Sequence, residues 1–431
     1  MKKIFDYIII TVSNQYQKEI IKEQIEKRKK VLPEETQIKI IIETEKIGSG
    51  GALLRIINQI ETKNKKILLI NSAGESKRIV LYADKGKICT PTFDKPDSIV
   101  FDEIIEETAE IGRKMDSGIL IVSGDCTTIY KKIKSNHITN NTAISVLAPA
   151  STGERHGVFV TENCLIKKTL QKESIEKLQK ENAVNADGQV KIDTGTIYYN
   201  EETINKLKKV KFDNNIIVNL YTDLMYPLST EAQEDEYLNS KAEGKLTQEL
   251  IELRKDIWNQ IHNCTINIEE IEDGKFIHYG TVSEFIKIAF NKTKAENIII
   301  NSTIYGKLTK RCYIENSCIY PQTTIGENSI IIDSTVTCDI PEDLIIKTIK
   351  IGEQYATIIL GINDNIKENN IDKLRLFSEP IGEFLKRNNL LNEENCTLWD
   401  CKIYTICDTK EEAVLKALEL YKKVKEESIN K

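Results

Sequence analysis

Between residues 298 and 340, Ile304, Ile314, Ile319, Ile325, Ile331 and Val336 recur, after the first, every five or six residues, with Gly306, Gly326 and many Asn, Ser and Thr in between. Neither an amphipathic helix, with its period of 3.6, nor a half-buried strand, with its period of 2, gives that spacing. A parallel β-helix of hexapeptide rungs does, because each aliphatic side chain stacks on its counterpart in the next coil. A meander of short strands is the competing arrangement. Beyond the rungs, Val414, Leu418, Tyr421 and Val424 form the apolar face of a C-terminal helix. Asp408 is expected to cap that helix, Glu411 to complete a capping box, and the helix to seal the open end of the solenoid.

The first third of the chain obeys a different rule. Residues 7–11 (YIIIT) read as a strand, 14–29 as an amphipathic helix, 38–42 as a second strand, and 67–70 (ILLI) as a strand buried on both faces. A helix over 101–113 and a strand over 118–122 continue the alternation, which implies an α/β sheet with mostly parallel strands. At 431 residues the chain exceeds what one core supports. We therefore expect a catalytic domain over residues 1–290, with a charged helical bridge at 231–260, and a β-helix domain with its capping helix over 291–431.

Composition removes several classes of function. A net charge of −6 gives no basic field for nucleic acid. The apolar stretch after Lys2 and Lys3 spans only residues 7–10, too short for a signal peptide or a membrane span, so the expected location is the cytoplasm. Ten cysteines contain no Cys-x-x-Cys pair and no histidine at ligand spacing and are read as reduced, and a chain with four histidines in all is not expected to build a multi-histidine zinc centre.

Chemistry concentrates where strands end. The strand at 67–70 runs into Asn71-Ser-Ala-Gly74-Glu-Ser76-Lys-Arg78, with Lys87 nine residues on. Small residues let a polyanion approach the backbone, free N–H groups there form an anion cradle, and Arg78 and Lys87 add charge for phosphate oxygens. Gly48-Ser49-Gly50-Gly51 opens a helix and is a second candidate cradle. The strand at 118–122 leads into Ser-Gly-Asp125, which puts a carboxylate at the carboxyl edge of the sheet, where ligands of such folds bind. Such a carboxylate is suited to Mg2+ shared with substrate phosphates, or to a helix N-cap. Arg155-His156-Gly157, Lys172, Asp193-Thr194-Gly195, Asp223 and His278 are further candidates, each of a type that surface loops also carry.

Taken in order, these blocks resemble the GDP-fucose pyrophosphorylase (fucose-1-phosphate guanylyltransferase) family. The resemblance runs from residues 6–17 through 48–53, 68–91, 122–125, 155–159, 170–174, 193–195, 220–228, 276–285 and the rungs to 398–408. It implies a Rossmann-like nucleotidyltransferase (GT-A-type) domain followed by a parallel β-helix (hexapeptide-like) domain. It also implies transfer of a guanylyl group from GTP to L-fucose 1-phosphate, with Mg2+ (or Mn2+) as cofactor. Arg78, Lys87, Asp125 and Lys172 are then the catalytic set, Lys172 meeting the sugar phosphate. Thr11, Ser13 and residues 48–51 would frame guanine and ribose; Gly74, Ser76, Arg155, His156, Thr194 and Gly195 would line the site. Asp193 and Asp223 would meet sugar hydroxyls or the metal.

The sequence also departs from the family pattern. Ala73-Gly74 replaces a pair of glycines, and Ile79-Val80 follows Arg78. His278 stands where related hexose-1-phosphate enzymes carry a metal-binding aspartate, so the second metal ligand is His278, Asp223 or Asp193. No kinase segment follows residue 431, and the sugar 1-phosphate is expected from another polypeptide. Self-association through the β-helix is expected as well. Three alternatives stay open: a mannose- or heptose-type sugar 1-phosphate, a catalytically silent nucleotide-sugar-binding scaffold, and an acyltransferase. The last is disfavoured because no histidine lies among the rungs.

Overall fold

The computed structural model describes residues 3–29, 32–33, 35–74, 79–130, 132–240, 246–271, 273–391 and 397–429. The chain forms two compact units, Met1–Glu75 with Lys85–Pro91 and Ser98–His278, and Ser76–Asp84 with Thr92–Asp97 and Tyr279–Lys431. The division thus falls after His278 rather than after residue 290. The reason is local: Phe285, on the helix Val282–Thr293, packs its ring on Phe93 and Tyr313 of the second unit.

In the first unit β1 (Tyr7–Val12), β2 (Gln37–Ile42), β3 (Lys66–Asn71) and β4 (Gly118–Ser123) run parallel in the order β2-β1-β3-β4. Sheet faces covered on both sides call for unbroken apolar runs. Residues 8–10, 67–70 and 119–122 supply them, each 2% exposed or less, and each such side chain contributes about 1.5–3 kcal/mol. The chain leaves β1 for β2 and returns across it to β3, so the winding reverses between β1 and β3. Ligand crevices of open α/β sheets form at the carboxyl ends of such a pair. β5 (Cys126–Ile129) leaves the sheet, which β6 (Thr142–Pro149), β7 (Gly157–Glu162), β8 (Leu165–Gln171), β9 (Gln189–Asn200) and β10 (Asn267–Ile271) extend as β4-β9-β6-β10-β8-β7. β9 is antiparallel to β4, which makes the sheet mixed. β11 (Lys275–His278) pairs antiparallel with β5.

The region 231–260 is no bridge. Its helix Gln248–Ile261 places Leu250, Leu253, Ile257 and Ile261 on one stripe, and that stripe is buried in the first unit. Leu253, Ile257 and Ile261 join the same core as Ile204 and Leu207.

In the second unit short strands follow one another: β12 (Ile298–Ile300), β13 (Thr303–Ile304), β14 (Lys307–Leu308), β15 (Tyr313–Glu315), β16 (Cys318–Ile319), β17 (Thr324–Ile325), β18 (Ile330–Ile332), β19 (Thr335–Val336) and the longer β20 (Leu344–Ile351). They stack in parallel as β12-β15-β18-β20, β13-β16-β19 and β14-β17. All six periodic aliphatic positions lie in these strands, and they align in rows: Ile304, Ile319 and Val336; Leu308 and Ile325; Ile314, Ile331 and Ile346. β21 (Gln354–Gly361) returns antiparallel along β20 and ends the stack. The helix Lys410–Ile429 packs on β21 and buries Val414, Leu418 and Val424. Its first turn is capped by Thr409, whose hydroxyl accepts from the Glu412 N–H at 3.2 Å, and not by Asp408, whose carboxylate accepts from Gln354 at 2.8 Å. No helix among the described residues is long and apolar enough to cross a membrane.

Candidate active site

β4 ends at Ser123, and the chain turns through Gly124 to Asp125. The Gly124 N–H donates to the Asn71 carbonyl at 2.9 Å, and a Cβ there would stand 3.0 Å from that oxygen, from Ser72 Cα and from Ile88 Cγ2. A residue without a side chain therefore lets the ends of β3 and β4 close on the 3₁₀ turn Lys87–Cys89. The result is an ion pair: Lys87 Nζ lies 2.8 Å from Asp125 Oδ2, while Ser123 Oγ donates to Oδ1 at 2.6 Å. Pairing of β11 with β5 sets His278 opposite Cys126. Ligand atoms of Asp125, Cys126 and His278 fall within 4.8 Å of one another. The ring of His156 meets His278 edge-on at 5.5 Å and Phe276 at 5.2 Å.

The charges in this cluster are set by that packing. Burial by itself raises the Asp125 carboxyl, but Lys87, His278 and the bonds from Lys87 and Ser123 outweigh it and hold the group well below the usual carboxylate range. Burial, and then the Asp125 charge beside it, push the Cys126 thiol well above its ordinary value, so it is no thiolate nucleophile. Asp193 on β9 is 7% exposed, and its Oδ1 accepts from the Gly195 N–H at 2.8 Å. Burial pushes that carboxyl up to about 7. A Cβ on Gly195 would lie 3.4 Å from both Ser123 Cβ and the Tyr221 hydroxyl, which places Asp193 to Gly195 at the same sheet edge as Asp125. Thr194 is turned elsewhere, donating to the Ile144 carbonyl at 2.8 Å.

Several expected contributors have other tasks. Thr11 Oγ1 accepts from the N–H groups of Ser72 and Ala73, both at 3.2 Å. Ser13 Oγ accepts from the Gly74 N–H at 2.8 Å and donates to the Gly74 carbonyl at 3.0 Å. The backbone donors expected to be free for an anion at 72–74 are thus satisfied by two hydroxyls of the β1 end, which shape the turn. Ser76 and Arg78 lie outside the described residues. The glycine-rich segment 48–51 is not an anion cradle either. The Gly50 and Gly51 N–H groups donate to the Val218 carbonyl at 2.9 and 3.3 Å, and a Cβ on Gly48 would stand 2.4 Å from that oxygen. Ser49 Oγ accepts from the Leu220 N–H at 3.2 Å. The glycines there allow the 217–220 segment to seat on the helix start.

Asp223, expected to meet a sugar hydroxyl or the metal, is held in a buried ion pair. It is 2% exposed, its Oδ1 accepts from Arg254 Nε at 2.9 Å and faces Nη2 at 2.8 Å, and its Oδ2 accepts from the Asn219 N–H at 2.6 Å. Both oxygens are taken. Lys172 and Arg155 are solvent-exposed; the Lys172 N–H donates to the His156 carbonyl at 3.2 Å, which keeps its backbone beside the histidine pair. Sequence reasoning passed over Ser123, Cys126 as a neighbour of the carboxylate, and Tyr221. Cys126 adjoins Asp125 in the chain and Ser123 lies two residues before it, a proximity that is a usable signal.

For a metal, Asp125 is the hard oxygen donor in the cluster; imidazole nitrogen and thiol sulfur suit softer ions than Mg2+. The residues fit an Mg2+ ion held by this one carboxylate together with substrate phosphates and water, and not one caged by protein. His278, in the same cluster, would offer a ring nitrogen, a donor that suits softer ions than Mg2+.

Fold and site together define an α/β protein with a paired carboxylate and lysine at the carboxyl ends of the parallel strands of a mixed sheet, the position at which such folds hold ligands. The profile of the fucose pyrophosphorylase domain matches residues 60–409. The chain is 23% identical over 520 residues to fucose-1-phosphate guanylyltransferase of Homo sapiens, covering 99% of this chain and 85% of that protein. The Mus musculus protein of the same name is 22% identical, covering 99% and 88%. The bifunctional fucokinase/GDP-fucose pyrophosphorylase of Arabidopsis thaliana is 24% identical over 305 residues, covering 62% of this chain and 28% of that protein. This chain belongs to the fucose pyrophosphorylase family.

Proposed function

We propose that the protein transfers a guanylyl group from GTP to L-fucose 1-phosphate, giving GDP-L-fucose and pyrophosphate. Family membership supports the substrates, and the 2.8 Å pair of Lys87 and Asp125 at the β4 edge is the observation that carries the chemistry. A phosphate oxygen of the sugar 1-phosphate attacks the α-phosphorus, and the bond to the bridging oxygen of pyrophosphate breaks. The attacking oxygen is already anionic at neutral pH, so no activating base is needed. That agrees with the Cys126 thiol beside Asp125 being held protonated. Two polyanions must still approach each other. Unit charges 4 Å apart interact by about 4 kcal/mol at an effective dielectric of about 20, so screening decides the barrier.

Lys87 neutralises Asp125 in the ligand-free protein and is the cation placed to meet the β,γ-phosphates. Mg2+ (or Mn2+), when bound through Asp125, supplies positive charge to the triphosphate. Arg78, read from the sequence alone, would assist Lys87. Lys172 and Arg155, exposed beside the His156 carbonyl and in the preceding turn, are assigned to the sugar phosphate. Asp193, protonated in the lower half of the neutral range, is suited to bonding a sugar hydroxyl. Thr11 and Ser13 act by shaping the 72–74 turn.

We read the first unit as a GT-A-type nucleotidyltransferase domain and the second as a hexapeptide-type parallel β-helix, on the strength of the strand order and the aligned aliphatic rows. Tyr305 and Tyr320, 67% and 44% exposed on the rungs, support self-association through that unit. A cytoplasmic location is read from the sequence, whose ten cysteines contain no Cys-x-x-Cys pair and are taken as reduced. The test is a panel of four nucleoside triphosphates against fucose, mannose and heptose 1-phosphates with Mg2+, scored by pyrophosphate release. GTP with fucose 1-phosphate should be the fastest pair; a faster rate with another pair, or nucleotide binding with no release in any pair, would overturn the assignment.

A further inference from the structure

Mg2+ draws on one donor of the Asp125 cluster, and the other two are of a kind it has little use for. The fold nevertheless brings all three to one place. Asp125 and Cys126 are consecutive at the turn from β4 into β5, and the antiparallel register of β5 with β11 sets His278 directly across from Cys126. Residues directly opposed in such a pair point to the same face, with Cβ atoms about 4.5–5.5 Å apart. Oxygen, sulfur and ring nitrogen consequently lie within 4.8 Å of one another, the one such group of three among the described residues. Asp125, Cys126, His278 and Lys87 all belong to the first unit.

The donor set has a preference. Carboxylate, thiolate and imidazole are the three ligand types of Zn2+, bound at about 2.0–2.3 Å, so ligand atoms around a tetrahedral ion stand about 3.3–3.8 Å apart. From a spread of at most 4.8 Å, the cluster closes on such an ion by moving about an ångström or less. The His156 ring, edge-on at 5.5 Å, limits how the His278 imidazole turns. Cys126 Sγ donates to Asp125 Oδ1 at 3.5 Å, and its proton passes to solvent when the sulfur bonds the ion, since a coordinated thiol is a thiolate. Asp125 itself is then fully engaged. Its Oδ2 faces Lys87 at 2.8 Å and its Oδ1 accepts from Ser123 at 2.6 Å. An ion held there by three protein ligands takes away the hard donor that Mg2+ requires.

We propose that Asp125, Cys126 and His278 form a site for a borderline-soft divalent cation, of which Zn2+ is the type, and that filling it shuts off the Mg2+-dependent transfer. The binding stands on the cluster alone; the inhibition rests on the reaction proposed above. The test uses the full chain, first without substrates, titrated with Co2+ as a spectroscopic substitute for Zn2+. One Co2+ per chain with a thiolate-to-metal charge-transfer band is expected, displaced by Zn2+ and untouched by a large excess of Mg2+. Cys126→Ser should abolish the band, and His278→Gln should weaken Zn2+ binding by about a hundredfold or more, since even a partner that only supports a metal ligand is worth about 10–100-fold. No band, or a band that survives Cys126→Ser and so comes from another of the ten cysteines, would overturn the site. Should Cys126→Ser not fold, undiminished affinity in His278→Gln would do the same. Pyrophosphate release from GTP and fucose 1-phosphate at fixed Mg2+ then tests the inhibition. Zn2+ should inhibit the wild type reversibly, a chelator restoring turnover, and Cys126→Ser should need about a hundredfold more Zn2+ for the same effect. Equal inhibition of the two proteins would overturn the inhibitory role and leave the assigned reaction in place. Absence of transfer by the zinc-free wild type would remove that reaction and the inhibition with it, while the Co2+ titration still decides the site.

Discussion

Replacing Arg254 by Met tests whether Asp223 is bound to structure rather than to substrate. Arg254 is 0% exposed and spends its guanidinium on Asp223 through Nε and Nη2, at 2.9 and 2.8 Å. Its Nη1 donates to the carbonyls of Ser240 and Tyr237, at 2.7 and 3.1 Å. Removing one partner of a buried pair leaves a carboxylate without compensation and costs about 3–5 kcal/mol. Burial already pushes the Asp223 carboxyl up against the pull of Arg254, so in the variant it rises further. A folded-state value raised above the unfolded one gives stability that is present at low pH and lost as pH rises. The deficit of Arg254→Met should therefore be largest above neutrality and shrink toward pH 5. Urea unfolding followed by tryptophan fluorescence suits the question, because Trp258 lies on the same helix with its ring 5.6 Å from Tyr237. The double variant Arg254→Met with Asp223→Asn should recover part of the loss. A single-variant loss below about 1 kcal/mol, or a double variant that loses the sum of the two singles, would refute the coupling.

Asp193→Asn should flatten the pH dependence of stability. The wild-type carboxyl, held up to about 7 in the fold, keeps a proton that the unfolded chain has released, so stability falls as pH rises from about 4 toward 7. That span converts to at most about 4 kcal/mol, and thermal melts across the range will show whether the slope survives the substitution. Thr11→Val leaves the N–H groups of Ser72 and Ala73 without their acceptor, at about 1–3 kcal/mol for each donor left buried. KM for GTP should rise; an unchanged KM would show that the shape of the 72–74 turn is irrelevant to nucleotide binding.

What the sequence displayed was what depends on local pattern. The aligned aliphatic positions between 304 and 336, the buried strands at 67–70 and 119–122 and the placement of Asp125 at a strand end all follow from spacing along one stretch of chain. The misread positions depend on partners remote in sequence. Gly48 to Gly51 look like an anion loop until the Val218 carbonyl is seen to occupy their N–H groups, and Asp223 looks available until Arg254 closes on it. The charged stretch at 231–260 hides an apolar stripe of four residues, and that stripe, rather than the mean composition, decides its burial. Thr11 and Ser13, expected to frame guanine and ribose, direct their hydroxyls to a neighbouring turn. The alternation of the chain between two units around Lys87 leaves no mark in composition or period at all.

We propose Asp125, paired with Lys87 at 2.8 Å just beyond the end of β4, as the anchor of guanylyl transfer. Asp125→Asn keeps the shape and removes the charge, so pyrophosphate release from GTP and fucose 1-phosphate, measured beside wild type on protein shown folded by its melt, addresses the claim directly. Loss of one preorganised electrostatic contributor predicts a fall in kcat of about a hundredfold or more. A folded Asp125→Asn protein turning over at close to the wild-type rate would contradict it.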